Sequence, residues 1–180
     1  MNQIVVNRAI GDWAAEVLSG PYVDLYEEIH AEPPYLSGPL YARERFIHRT
    51  AGQVRREGFT LVSAHDGPAL AGFAFGLPFP AGRWWGGDAS PGPANVVAAE
   101  KFAVIELGVH AAYRGRGIGR RLLEDLLTDR AAPYAVLLAH PDAPAHAMYR
   151  RWGWQVVGTV RPAPDSGTSD ALVLKTPPPA

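Results

Sequence analysis

Residues 106–127 read E-L-G-V-H-A-A-Y-R-G-R-G-I-G-R-R-L-L-E-D-L-L, an apolar run, then a basic glycine-rich stretch, then a run with helical periodicity. That order predicts a strand, a turn and an amphipathic helix. Gly115, Gly117 and Gly119 have no Cβ, so the turn can take left-handed dihedrals and let the backbone approach a ligand closely. The first N–H groups of the helix that follows have no intrahelical acceptor and lie at the positive end of its dipole. Arg114 and Arg116 stand inside the turn, and Arg120 and Arg121 one turn later, each with a guanidinium that matches phosphate geometry. The segment therefore reads as a cradle for an extended, phosphate-bearing anion. On the helix, Ile118, Leu122, Leu126 and Leu127 are expected on one apolar stripe. Arg120 with Glu124 and Arg121 with Asp125 are expected as i,i+4 pairs on the wet side.

The spacing excludes two common cradles. A Walker loop needs G-K-S or G-K-T, and a dinucleotide fold needs G-x-G-x-x-G with an acid about 20 residues on; neither is present. Arg114 to Gly119 instead reads R-x-x-G-x-G, and in this the chain resembles the GNAT family of N-acetyltransferases, whose coenzyme A motif is Q or R followed by x-x-G-x-G or x-x-G-x-A between a strand and a helix. A second segment, A-H-A-M-Y-R-R-W-G-W at 145–154, resembles the family's A-x-x-L-Y-x-x-x-G-F: Ala145, Met148, Tyr149, Gly153 and Trp154 map onto it, with Met for Leu and Trp for Phe. Asp142 stands where many members have Asn. The resemblance implies a single α/β (α+β) domain with a mixed, mostly antiparallel sheet of six to seven strands flanked by about four helices.

Composition fits one such domain over residues 1–175, with a Pro-rich tail at 176–180. The chain has 180 residues, 47% of them hydrophobic and 19% charged, enough for a core without staples. It has no cysteine, which excludes disulfides, thiolate metal sites and a cysteine nucleophile. His140, Asp142 and His146 match no zinc-ligand spacing, and Pro141 and Pro144 interrupt any helical face that would align them, so no metal is expected. A formal net charge of −1 argues against nucleic acid as a partner. No run of 18 apolar residues and no signal-peptide layout is present, so the expectation is a cytoplasmic protein without a membrane partner. A homodimer is left open.

Along the chain, residues 4–6 read as a strand, 21–30 and 40–57 as helices, and 59–65 with 69–77 as a hairpin turning at Asp66-Gly67-Pro68. Residues 78–100 read as a long functional loop. Strands are expected at 102–109, 134–139, 154–160 and 171–175. The strand at 134–139 is apolar without alternation, as a central strand covered on both faces would be.

The resemblance implies acetyl-CoA as cosubstrate and assigns residues to it. The turn from Arg114 through Gly115, Arg116, Gly117, Ile118 and Gly119 to Arg120 would hold the pyrophosphate. Leu107, Gly108 and Val109 would pair with the amide-rich pantetheine arm as an added strand, with the Val109 N–H polarising the thioester carbonyl. Asp142 and Ala145 would face the same arm. Tyr149 would protonate the leaving thiolate. Glu106, the carboxylate directly before the coenzyme-binding stretch, is the first candidate for the base that deprotonates the attacking amine, with His110 and His140 as rivals; a strand-face ion pair explains Glu106 equally well.

The acceptor is less constrained. Asp24, Glu27, Glu28 and Glu32 could attract a cationic amine or form a solvated helix face. Tyr35, in the E-P-P-Y turn begun by Glu32, could shape the rim of the acceptor pocket. Trp84 and Trp85 could stack on an acceptor or cover the core. The expected reaction is acetyl transfer from acetyl-CoA to a primary amine, on a small molecule or a peptide, by direct attack in a ternary complex. Two alternatives stay open: transfer of a longer acyl chain or to a hydroxyl, and a coenzyme-sensing or antibiotic-binding module without turnover.

Overall fold

A computed structural model describes residues 3–176, and the expected tail lies almost wholly outside them. The strands form a mixed sheet of eight, and the chain divides into two compact units.

The first unit holds the described residues up to Leu77 together with Ile105–Thr128. Strand β1 (Val5–Ile10) runs antiparallel to β2 (Thr60–Asp66), from Val5↔His65 to Ile10↔Thr60. Strand β2 is antiparallel in turn to β3 (Ala69–Phe79), which confirms the hairpin. The strand order is β1-β2-β3, followed by strand β5, whose residues Ile105–Val109 belong here.

Helix α1 (Gly20–Ala31) opens with Pro21, which presets φ and lacks the N–H that a first turn cannot use. Helix α2 (Arg43–Val54) follows a short 3₁₀ turn at Pro39–Tyr41. Tyr26 of α1 stacks on Phe46 of α2 with centroids 3.9 Å apart, and Phe59, Phe73 and Phe75 of the hairpin complete an aromatic core. The amphipathic helix α4 is Ile118–Leu127 and packs on β1 and β2. Its buried residues are Ile118, Leu122, Leu123 and Leu126. Leu123 therefore takes the place expected for Leu127, which is half-buried: covering two strands needs a wider stripe than a single helix row gives.

The second unit holds Pro78–Val104 and the residues from Asp129 on. Here β5 (Lys101–Val109) runs parallel to β6 (Tyr134–Ala139), paired from Lys101↔Tyr134 to Val104↔Leu137. Strand β6 is antiparallel to β8 (Ser169–Lys175), β8 to β7 (Gln155–Arg161), and β7 to a two-residue strand, β4 (Asp88–Ala89). Strand β6 is buried along most of its length, as its unbroken apolar sequence requires.

The stretch read as one long loop is ordered. It contains β4 and a short helix, α3 (Ala94–Ala98), and these raise the tally among the described residues to eight strands and five α-helices. Lys101 clamps the stretch from inside: fully buried, its ammonium donates to the carbonyls of Pro80 (3.3 Å), Val97 (3.3 Å) and Ala99 (2.9 Å). Burial and then the charge of Arg83 lower its pKa, yet three carbonyl acceptors satisfy all three of its protons. The fifth helix, α5, is Pro144–Arg151.

Candidate functional site

The turn ahead of α4 has the backbone that its glycines were expected to permit. Gly115 and Gly117 sit at φ +74° and +75°, in the left-handed region, and a Cβ placed on either would meet no atom within 4 Å. The space beside them is open. The first helical bond of α4 runs from Arg121 N to Gly117 O (3.1 Å), so the N–H groups of Ile118, Gly119 and Arg120 precede the intrahelical ladder. Gly119 differs from the other two: a Cβ there would lie 3.5 Å from Val109 Cγ2, an ordinary contact. The turn is braced from behind by His110, whose Nδ1 accepts from the Ala112 N–H (3.1 Å).

The arginines of this turn are already engaged. Arg114 makes a two-pronged pair with Glu32, Nη1 to Oε2 at 2.7 Å and Nη2 to Oε1 at 3.0 Å, while its Nε donates to the Val109 carbonyl (3.0 Å). Two residues expected to serve different substrates thus hold each other. Arg116 donates to the Ala112 carbonyl (3.2 Å) and lies over the Tyr113 ring. Arg120 pairs with Glu124 at 2.7 Å and Arg121 with Asp125 at 4.0 Å, both on the exposed side as expected.

The other acids of α1 are engaged too: Asp24 (2.8 Å) and Glu27 bind Arg43, and Glu28 faces His110 Nε2 at 3.4 Å. Of the two readings of these acids, the structure shows a face of local ion pairs. The same pairing leaves His110 tied to Glu28.

Gly108 lies where α1 crosses β5, and a side chain there would run into Ile29 Cδ1. A Cβ on Gly72 of β3 would lie 2.7 Å from the Gly108 carbonyl and 3.3 Å from Val109 Cα. The two glycines let strand and helix close tightly around Leu107, Gly108 and Val109.

Glu106 points into the aromatic end of this unit, its side chain 14% exposed. It faces His30 of α1, with Nε2 to Oε1 at 3.7 Å. His30 is buried, and its Nδ1 is 2.8 Å from the carbonyl of Tyr26, to which it donates. The imidazole lies among Tyr26 (centroids 4.2 Å), Tyr35 (4.8 Å) and Tyr41 (4.5 Å, stacked at 17°). Burial, and after it the negative charge of Glu106, pushes Tyr26 and Tyr35 well above their ordinary ionisation and raises Tyr41 as well. They stay neutral around the carboxylate. His30 was not among the sequence candidates, since one histidine in an amphipathic helix carries no signal until the fold brings β5 across it.

The remaining candidates lie in the second unit. Tyr149 is buried, edge-on to Trp152 (6.0 Å) and Trp154 (5.9 Å). Asp142 is exposed, and its N–H donates to His140 Nδ1 at 3.2 Å. Ala145 is half-buried on α5. His146, also on α5, meets Asp170 at 2.8 Å.

Trp84 and Trp85 both belong to the clamped stretch. The Trp84 indole N–H donates to the Ser90 carbonyl (3.2 Å), and its ring lies where a Gly92 side chain would be. Trp85 meets the Phe79 ring edge-on at 5.1 Å, and its buried indole N–H has no hydrogen-bond partner. Among the described residues no three His, Cys, Asp or Glu side chains are grouped as a metal site, and no helix is long and apolar enough to cross a membrane.

Comparison with known proteins follows the same lines. The N-alpha-acetyltransferase RimI of Mycobacterium tuberculosis is 38% identical over 76 residues, covering 42% of this chain and 48% of that protein. The match thus spans about half the length of that relative. Two solved structures share the fold over nearly the whole chain. Arabidopsis thaliana NAA60, in complex with a bisubstrate analogue, aligns with TM-score 0.60 at 18% identity, covering 96% of this chain and 98% of that one. The PaiA N-acetyltransferase of Thermoplasma acidophilum, in complex with coenzyme A, aligns with TM-score 0.60 at 15% identity over 97% and 99%. The model of the acetyltransferase (GNAT) family matches residues 22–154, a span that includes the glycine turn, Glu106 and Tyr149, and the chain belongs to that family.

Proposed function

We propose that the protein transfers an acetyl group from acetyl-CoA to a primary amine by direct attack. The observation that carries this reading is the cradle at Gly115 and Gly117, two left-handed glycines with open space beside them at the start of a helix. A pyrophosphate suits that backbone, because the N–H groups of Ile118, Gly119 and Arg120 donate there and the dipole end is positive.

Acetyl-CoA would supply an activated thioester carbonyl. Leu107, Gly108 and Val109 offer the strand along which its pantetheine amides can pair, and the recorded ladder between β5 and β6 ends at Val104. The Val109 N–H would polarise the carbonyl, Glu106 would take the amine proton, and Tyr149 would return a proton to sulfur. Asp142 and Ala145 would line the pantetheine arm, while Tyr35, Trp84 and Trp85 would contact the acceptor. For Arg114 to reach the pyrophosphate it must first leave Glu32, so the backbone of the turn carries more of the binding than its guanidinium. The partial likeness to RimI makes the α-amine of a protein N-terminus the acceptor class to examine first, and the absence of a membrane-length helix is compatible with work in the cytoplasm.

The test is the thermal unfolding midpoint with acetyl-CoA, coenzyme A, NAD and ATP in parallel, followed by thiol release with peptide and small-molecule amines. A ligand at 100 times its Kd adds about 2.7 kcal/mol of stability, so the coenzyme A pair alone should raise the midpoint. No rise with that pair, or a larger one with a nucleotide, overturns the donor. A rise without thiol release from any amine overturns turnover and leaves a coenzyme-binding module.

A further inference from the structure

We propose that His30 and Glu106 form a two-acceptor receptor for the attacking amine in its ammonium form, and that His30 Nε2 takes the first proton from it. This rests on the reading of the protein as an amine acetyltransferase.

The argument begins with the tautomer. A carbonyl only accepts, so the 2.8 Å contact with the Tyr26 carbonyl places a proton on Nδ1. In the neutral ring the lone pair is therefore at Nε2. That lone pair faces Glu106 Oε1 at 3.7 Å, and both side chains are mostly withdrawn from water, at 7% and 14% exposure. The separation is too long for a good direct hydrogen bond. In the neutral ring it sets two acceptors side by side, at a spacing that one donor can bridge. A donor with at least two protons answers both at once, and a primary ammonium carries three.

The surroundings favour the same guest. Tyr41 stacks on the imidazole, and Tyr35 is tilted to that ring and edge-on to Tyr41 at 5.1 Å, so aromatic rings wall the pair, a setting that suits an ammonium group. The ionisable groups around the pair are Tyr26, Tyr35 and Tyr41, all neutral, and Arg49, whose guanidinium donates to the Tyr26 hydroxyl at 3.3 Å. Glu106 is thus the anion facing His30, and among the described residues it is the carboxylate whose charge acts on these three phenols.

The proton balance is simple. One N–H bond of the ammonium breaks and an N–H bond forms at Nε2, which leaves an imidazolium beside the Glu106 carboxylate and a neutral amine. That amine forms the N–C bond as the C–S bond breaks. The second proton, shed as that bond forms, passes to Glu106 while the departing sulfur gains one in its place, and the imidazolium returns the first to water.

The test uses the full chain with histidine labelled by nitrogen-15, titrated with a simple alkylamine and with the alcohol of the same shape. In the wild type the Nδ1 signal should remain that of a protonated nitrogen, while Nε2 should shift with the amine and stay unmoved with the alcohol. His30→Asn keeps a donor near the Tyr26 carbonyl and removes Nε2, so its melting midpoint and its response to coenzyme A should stay close to wild type.

Its kcat/KM should fall about 100-fold, the acidic limb of the pH profile should disappear, and adding Glu106→Gln should cost little more. A wild-type rate and pH profile in His30→Asn overturns the proposal, as does an Nε2 signal that ignores the amine in an active enzyme. If Nε2 responds to the amine but no amine releases thiol, the receptor stands and the acetyltransfer reading fails.

Discussion

At Gly117 the backbone angle of +75° and the empty space beside it separate two costs that usually come together. A Cβ there meets no atom within 4 Å, so Gly117→Glu should lower stability mainly by the left-handed strain, about 1–2 kcal/mol. It should nonetheless abolish coenzyme A binding, because the carboxylate fills the cradle with the wrong charge; calorimetric titration of the variant with coenzyme A checks this. Tyr149→Phe keeps the ring that packs against Trp152 and Trp154 and removes only the hydroxyl. We expect kcat to drop by about 100-fold at nearly unchanged coenzyme affinity. An unaltered rate would make Tyr149 a core residue alone. These two positions were legible in the sequence because each sits in a local motif with its neighbours in register. His30 was not, because its partner Glu106 lies on a strand far along the chain, and only burial and the Tyr26 carbonyl fix which nitrogen faces it.

Among the elements, α1 and the turn before α4 are tied by Glu32 and Arg114. Both side chains are more than two-fifths exposed, so the pair should add at most about 1 kcal/mol to stability. Its importance lies in placing the segment after α1, where Tyr35 sits. Glu32→Ala and Arg114→Ala should each raise the acceptor KM severalfold, and the double variant should be no worse than either alone; additive losses in a double-mutant cycle would show that the two act apart. Sequence patterning located α1, the hairpin, β6 and α4 well, since the helices carry a helical period, the hairpin is closed by a clear turn and β6 is an unbroken apolar run. It missed the 3₁₀ run Gly11–Leu18, β4 and α3, which are short and held by tertiary contacts. The clearest case is Lys101, at a position that reads as an exposed strand end but is buried beneath the carbonyls of a loop it holds closed.

Across the whole molecule, the stability of the first unit should depend on alkaline pH. Burial pushes Tyr22 up to about 12, and burial with the charge of Glu106 raises Tyr26, Tyr35 and Tyr41. The folded state holds these protons more tightly than the unfolded chain, so the contribution is complete below the ordinary phenol value of about 10 and is lost as pH rises past it. The melting midpoint should fall progressively above pH of about 10, with tyrosinate absorbance from these rings appearing together with unfolding; full ionisation of a still-folded protein would refute this. The division of the chain has a further consequence during synthesis. The first unit takes its residues from two separated stretches, the second of which ends at Thr128, with residues of the second unit between them. A ribosome that has delivered β1, β2 and β3 has therefore not yet supplied α4, the helix that covers β1 and β2. Until that helix emerges the growing chain carries an apolar sheet face without its lid, and for that interval it depends on the speed of translation and on chaperones to remain soluble.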